Sequence, residues 1–185
     1  METRESILTS ARRLFYVRGY DRTSLADIAE DAGVPKGNFY YHFKSKDDVL
    51  QAVLKARDED VAQMLEQWGE TLATPRARIE RVIQMLTNDQ DQLVRFGCPV
   101  GSLLSELGKG RDELKAPLLG TLERLVDFVT SQLQALGRTR TRARQDALQL
   151  LARCQGAVVM AHAYRDPKLL AREVRSIRAS IATER

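Results

Sequence analysis

Thr23-Ser24-Leu25-Ala26-Asp27-Ile28-Ala29-Glu30-Asp31-Ala32-Gly33-Val34-Pro35-Lys36-Gly37-Asn38-Phe39-Tyr40-Tyr41-His42-Phe43-Lys44-Ser45-Lys46 is the stretch on which the fold turns. It reads as two short helices joined by a tight corner. Ser24 is a good N-cap, and Asp27, three residues on, completes a capping box. Leu25, Ile28, Ala29 and Ala32 give one apolar face at helical spacing. Gly33 falls just past the last periodic residue, where a left-handed residue ends a helix without Cβ strain. Val34 is expected to plug the corner and Pro35 to open the second helix, since its missing N–H has no partner there in any case. That second helix is unlike a core helix. It carries Lys36, Gly37, Asn38, Tyr40, Tyr41 and His42, with only the i, i+4 pair Phe39 and Phe43 to anchor it.

Such a distribution suits a helix lying in the major groove of DNA. Its first turn offers donors and acceptors to base edges, and its end offers phenol, imidazole and ammonium groups to phosphates. Between Gly33 and Lys46 there are three lysines and no acid, a local field that favours a polyanion. The plainer alternative is a solvated surface helix with two aromatic anchors, because a helix-turn-helix alone does not fix function.

Asp27-Ile28-Ala29, Ala32-Gly33-Val34, then Gly37-x-Phe39-Tyr40-x-His42-Phe43-x-Ser45-Lys46-x-x-Val49-Leu50 resembles the N-terminal signature of the TetR family of bacterial transcriptional regulators. The resemblance covers about the first 50 residues, at many fixed spacings. The rest of the chain is similar in length and helical pattern to the family's ligand-binding domain. Asn38 stands where many members have Thr or Ser, a departure that bears on which base is read. The resemblance implies a helix-turn-helix DNA-binding domain at 1–46 and a helical ligand-binding and dimerisation domain at 47–185, an all-α fold of about nine to ten helices.

Composition narrows the function classes. The chain has 185 residues, 43% hydrophobic and 29% charged, and a net charge of +4, ordinary for a soluble globular protein of one small and one medium domain. No apolar run approaches the length of a bilayer span, and Met-Glu-Thr-Arg-Glu is too charged for a signal peptide, so the expected place is the cytoplasm. Cys98 and Cys154 are too few for a disulfide scaffold, and no CxxC or His pair stands at metal-ligand spacing, so neither a cofactor nor a metal is expected. Residues 1–50 carry eight Lys/Arg against eight Asp/Glu; what counts there is segregation, since the groove helix has no acid.

Outward from the central stretch, a first helix is expected from about Thr3 to Arg18, with Ile7, Leu8, Ala11, Leu14 and Phe15 on one face and Gly19 as its stop. Tyr20 is expected to pack under it. Ser45, with Asp48 at the capping-box position, should cap a long helix whose apolar stripe runs from Val49 to Trp68. In the family this helix is a lever joining the two domains. Pro75 breaks the pattern, and a further amphipathic helix is expected over Arg76–Asp91. Gly97 and Pro99 interrupt the backbone ahead of a short apolar helix from about Val100 to Leu107, and Lys109–Lys115 reads as a charged loop or helix start. Three more amphipathic helices are expected: Pro117–Leu136, one starting near Thr141, and about Pro167–Ala182. No strand is expected.

Site residues follow from these placements. Lys36 suits guanine O6/N7 and Asn38 suits adenine, while Gly37 lets the backbone approach DNA closely. Tyr40, His42 and Lys46 match the family's phosphate-contacting positions; Tyr41 suits a phosphate or a thymine methyl, and Ser24, at a helix start, a phosphate. One such helix reads only a few base pairs, so a homodimer and a palindromic operator are expected. The resemblance favours a four-helix dimer interface drawn from the last two long helices, with Leu125, Val129, Leu133, Leu150, Leu151, Cys154 and Val158, over the reading that both faces are intramolecular core. It also implies an effector cavity, with Met64, Trp68, Met85, Phe96, Cys98, Leu103, Leu104, Leu107, Leu122 and Val126 as its apolar lining; such a cluster is also what plain core looks like. Cys98, between Gly97 and Pro99, is either a buried small hydrophobe or a thiol that electrophiles or oxidants modify, as in some relatives. Cys154 and His162 read as core or interface, and the basic run Arg138–Arg144 as a solvated corner.

The function expected is therefore a DNA-binding regulator, a repressor before an activator. A small hydrophobic or electrophilic effector would release it by favouring the form that does not fit the operator. No catalytic dyad, phosphate loop or metal set stands in the sequence, so an enzyme is not expected. The competing reading is a helical small-molecule-binding protein or enzyme with a vestigial DNA-binding motif.

Overall fold

The structure is a computed structural model and describes residues 2–107 and 112–183. Among the described residues it is built from helices alone. They are α1 (Glu2–Arg18), α2 (Leu25–Asp31), α3 (Lys36–His42), α4 (Lys46–Thr71), α5 (Pro75–Asn88), α6 (Gln90–Phe96), α7 (Pro99–Leu107), α8 (Asp112–Ala135), α9 (Arg140–Tyr164) and α10 (Pro167–Thr183). No described helix is long and apolar enough to cross a membrane. The start of the expected charged stretch Lys109–Lys115, residues 109–111, lies outside the described residues. The chain forms two compact units, Met1–Asp60 with Ser102–Thr121, and Val61–Gly101 with Leu122–Arg185.

In the first unit the sequence signals act as expected at the α2 start. The Ser24 side chain accepts from the Asp27 N–H at 3.1 Å, and the Asp27 carboxylate takes the Ser24 N–H at 2.7 Å, a reciprocal capping box. The helix ends on Gly33 at φ +63°, with the Val34 N–H returning to the Ala29 carbonyl at 2.9 Å. Pro35 is the cap residue rather than the first helical one, and it makes no side-chain cap bond. Phe39 and Phe43, 1% and 4% exposed, pin α3 to the unit. Ile7, Leu14, Ile28, Leu50 and Leu54 are buried with them. Removing the Phe39 ring would cost about 3–5 kcal/mol. Ser45 and Asp48 form a second reciprocal box at the start of α4, each backbone N–H donating to the other's side chain at 3.0 Å.

The second unit buries the apolar faces of α5, α6, α9 and α10 around Ile79, Ile83, Val129, Ala147, Ala161 and Leu170. Two boundaries differ from expectation. The helix expected over Arg76–Asp91 stops at Asn88; Asp89 leaves helical geometry (φ −105°, ψ 18°) and α6 begins at Gln90. Adjacent Asn and Asp side chains compete with helical backbone bonds, which explains a break there. The described part of α8 already runs from Asp112, five residues before Pro117. The proline inside it removes a single backbone bond. The α9 helix starts at Arg140, capped by Thr139, next to the expected start near Thr141. It ends on Arg165 in the left-handed region (φ 53°), whose guanidinium donates to the Arg95 carbonyl at 3.0 Å. Arg78 closes the α4 end, donating to the Leu72 and Gly69 carbonyls at 3.0 and 2.6 Å.

Candidate nucleic-acid interface

With Phe39 and Phe43 turned inward, the 100° step per residue sends Gly37, Asn38 and Tyr41 to the opposite side of α3. Lys36 and Tyr40 lie together on one side of α3, between that face and the buried one. Lys36, Gly37 and Asn38 are exposed, Tyr40 is 48% exposed and Tyr41 78%; His42 is half-buried, edge-on to the Tyr41 ring at 5.2 Å. A β-carbon on Gly37 would meet nothing within 4 Å. The fold therefore has no need of glycine there.

The charges around α3 are sorted. Arg13 pairs with Asp31, and Arg18 lies 3.7 Å from Asp27. The hydrogen bond from the Ser24 hydroxyl, then that from its backbone N–H, then Arg18, hold the Asp27 carboxyl below the ordinary carboxylate range. Asp48 is turned to the Lys44 and Ser45 amides, and Asp47 accepts from the Tyr20 hydroxyl. Asp27, Asp31, Asp47 and Asp48 are thus engaged with donors of the protein, while Lys36 and Lys44 stand exposed. Lys44 also donates to the Tyr40 carbonyl at 2.9 Å, at the C-terminal end of α3.

Two of the expected contact residues are engaged within the chain. Lys46 turns its ammonium inward, 3.0 Å from the Tyr20 carbonyl and 4.2 Å from the centre of the Tyr20 ring. There it fastens the unit, because the cation gains a carbonyl and an aromatic face together. Ser24 is engaged as a cap on both sides, and a phosphate at its hydroxyl would face the Asp27 carboxylate. Arg4, far from α3 in sequence, is exposed and has its guanidinium 5.5 Å from the Phe43 ring centre, beside the end of α3. No local signal joins those two positions.

The residues expected to line an effector cavity divide between the units. Met64, Trp68, Met85, Cys98 and Val126 belong to or pack on the core of the second, which also contains Phe96 and Leu122; Leu103, Leu104 and Leu107 belong to the first. Trp68 is 7% exposed, edge-on to Phe128 at 6.3 Å, with the Arg81 guanidinium 5.5 Å from its ring centre. A half-open groove of about 310 Å³ runs beside it, lined by Leu72, Arg81, Gln84 and others, and Trp68 alone of the expected lining reaches it. The Cys98 sulfur accepts from the Gly101 N–H at 3.4 Å and from Gln155 Nε2 at 3.2 Å, so the half-buried thiol caps the first turn of α7. Cys154 is buried, which raises its pKa to about 11.

The expected dimer residues pack within their own unit. Val129, Leu133, Leu150, Cys154 and Val158 are buried within the second unit's own core, and Leu125 and Leu151 are half-buried against it. Residues already covered by their own chain have little area left for a partner. The open apolar face of α9 lies on its other side: Leu148, Ala152, Gly156, Val159, Met160 and Ala163 are exposed at i, i+4 steps, with Val159 at 60%. The periodicity of α9 contained both faces; only packing showed which was taken. In the basic run Arg138 and Arg142 pair with Asp146, and Arg144 with Glu123 and Asp127. His162 Nδ1 lies 3.0 Å from the Val94 carbonyl. Among the described residues no three His, Cys, Asp or Glu side chains are grouped as a metal site.

Comparison with known proteins agrees with this geometry. Residues 7–53 match the model of the bacterial regulatory proteins of the tetR family, and residues 75–175 match that of the LmrA/YxaF-like transcriptional regulator C-terminal domain. The chain is 29% identical over 178 residues to an uncharacterized HTH-type transcriptional regulator in the lacX 3′ region of Lactococcus lactis subsp. lactis, covering 91% of this chain and 87% of the other. It is 26% identical over 167 residues to the HTH-type transcriptional regulator LmrA of Bacillus subtilis, covering 86% of each. The crystal structure of regulatory protein TetR from Rhodobacter sphaeroides superposes with a TM-score of 0.82 at 26% identity, covering 97% of this chain and 98% of that one.

Proposed function

Since this chain belongs to the TetR family of bacterial transcriptional regulators, we propose that it acts in the cytoplasm as a homodimeric repressor that binds a palindromic operator and is released by a small hydrophobic or electrophilic effector. The observation that carries the proposal is the exposed outer face of α3, Gly37, Asn38 and Tyr41, with Lys36 and Tyr40 exposed on one side of it, on a helix pinned by Phe39 and Phe43. Lys36 and Asn38 read base edges; Tyr40, Lys44 and Arg4 meet phosphates. Homodimerisation is supported by the open apolar face of α9 around Val159. A two-fold pair of α3 helices then reads two half-sites about one duplex turn, roughly 34–36 Å, apart. Release by an electrophile is supported by the half-buried Cys98 sulfur, and release by a hydrophobic molecule by the aromatic and methionine cluster around Trp68.

Random-site selection followed by gel-shift and sedimentation tests the reading. A palindromic site bound by two chains is expected, and Val159→Glu is expected to sediment as a monomer and lose the site. A parent protein with no preference for any selected site over a scrambled duplex at modest salt would overturn it.

A further inference from the structure

One residue far along the chain holds the turn that leads into the DNA-reading helices. Glu106, in the last turn of α7, lies with residues 1–60 in the first unit. Its Oε2 accepts from the Tyr20 N–H at 2.9 Å and its Oε1 from the Asp21 N–H at 2.7 Å. A single carboxylate thereby takes the two backbone donors that follow the end of α1, a charge-assisted pair with fixed geometry. Gly19 makes the approach possible: at φ +86° it reverses the chain, and a β-carbon there would stand 3.0 Å from Oε1.

The same residue is held from its other sides. Lys46 donates to the Tyr20 carbonyl, Asp47 accepts from the Tyr20 hydroxyl, and the ring, 1% exposed, lies 5.3 Å from that of Phe15. Thr23, two residues after the clasped amides, donates its hydroxyl to the Gly19 carbonyl at 2.7 Å, and Ser24 then caps α2. So the end of α1, the start of α4 and the end of α7 are fastened at Tyr20, and α2 and α3 continue from that fastening.

We propose that Glu106 is a positioning residue for operator reading: its carboxylate fixes the Tyr20–Asp21 turn from which α2 and α3 continue. A change at the end of α7 then alters operator affinity without any contact between Glu106 and DNA. The inference rests on the DNA-binding function proposed above. Sign separates it from simple electrostatics. Removing a negative charge beside a polyanion-binding unit strengthens or leaves unchanged its hold on any duplex, whereas removing a positioning group weakens the hold on the operator in particular.

The test uses the full chain, the operator recovered by selection, a scrambled duplex of equal length, and Glu106→Gln and Glu106→Ala. Glu106→Gln is expected to lower operator affinity roughly tenfold, the scale of one charge-assisted hydrogen bond, with scrambled-duplex binding equal to or slightly above the parent's. Hydrogen exchange at the Tyr20 and Asp21 amides should quicken in both variants, while α3 keeps its parent protection. Operator affinity equal to or above the parent's would overturn the inference, as would an equal loss on both duplexes or unchanged exchange at those two amides. A parent that does not distinguish operator from scrambled duplex overturns the DNA-binding reading itself, and this inference with it.

Discussion

Lys46 donates to the Tyr20 carbonyl at 3.0 Å while its ammonium rests 4.2 Å from the centre of that residue's ring. A cation held in this way contributes to the fold before it contributes to DNA. Lys46→Gln is expected to destabilise the protein by about 1–2 kcal/mol, lost with the cation–π contact, and to leave the salt dependence of operator binding unchanged. Lys36→Gln is expected to do the reverse, reducing the slope of log K against log salt by about one with little change in stability. Urea unfolding and anisotropy titrations at several salt concentrations check both. Equal slopes for the Lys36 variant and the parent would remove Lys36 from the interface.

Gly37 separates stability from binding in one substitution. Open space around its Cβ position and its place inside α3 mean that Gly37→Ala should stabilise the free protein by roughly 0.5–1 kcal/mol. The added methyl keeps the backbone from approaching the groove, so operator affinity should fall at the same time. Denaturation together with a gel shift decides it. A variant both more stable and fully active would make the glycine incidental.

Asp27 carries a pH signature. Its carboxyl is held below the ordinary value of 3.8, first by the Ser24 hydroxyl and backbone N–H and then by Arg18. A group with a lowered folded pKa contributes stability above its unfolded value, and that contribution is lost as pH falls from there through the folded value. Ser24→Ala should therefore bring the Asp27 titration back toward the ordinary range and lower the melting midpoint at pH 7 by roughly 2–4 °C. Below the folded value the electrostatic part of the difference between parent and variant should vanish. A carbon-detected titration of Asp27 and melts from pH 7 to pH 3 report it; an unmoved titration would mean that the Ser24 cap does not set this carboxyl.

The two thiols should behave differently. Cys154, buried and raised to about 11, remains a protonated thiol at pH 8 and out of reach of an alkylating agent. Native labelling at that pH should give the same stoichiometry for the parent and for Cys154→Ala, with the second thiol appearing only after unfolding. Rapid native modification of Cys154 would show that the core of the second unit opens. For Cys98, operator release by an electrophile should be weaker in Cys98→Ser than in the parent.

Short-range chemistry is what the order of residues dictated here. Ser24 with Asp27, Ser45 with Asp48, Gly33 after Ala32, and the Phe39–Phe43 pair are interactions between residues at most four or five apart. Backbone geometry fixes such pairs wherever the segment goes, so α2, the corner, α3 and the start of α4 could be read before any coordinates. Tertiary packing decided what no local pattern encodes. It chose which of two apolar faces of α9 became core, leaving Val159 and not Val158 exposed. It turned Lys46 onto Tyr20 and brought Glu106 to the Tyr20 and Asp21 amides, across 86 and 85 residues. The periodicity of a helix says that a stripe will be buried, but when two stripes compete the volume of the neighbouring helices selects between them.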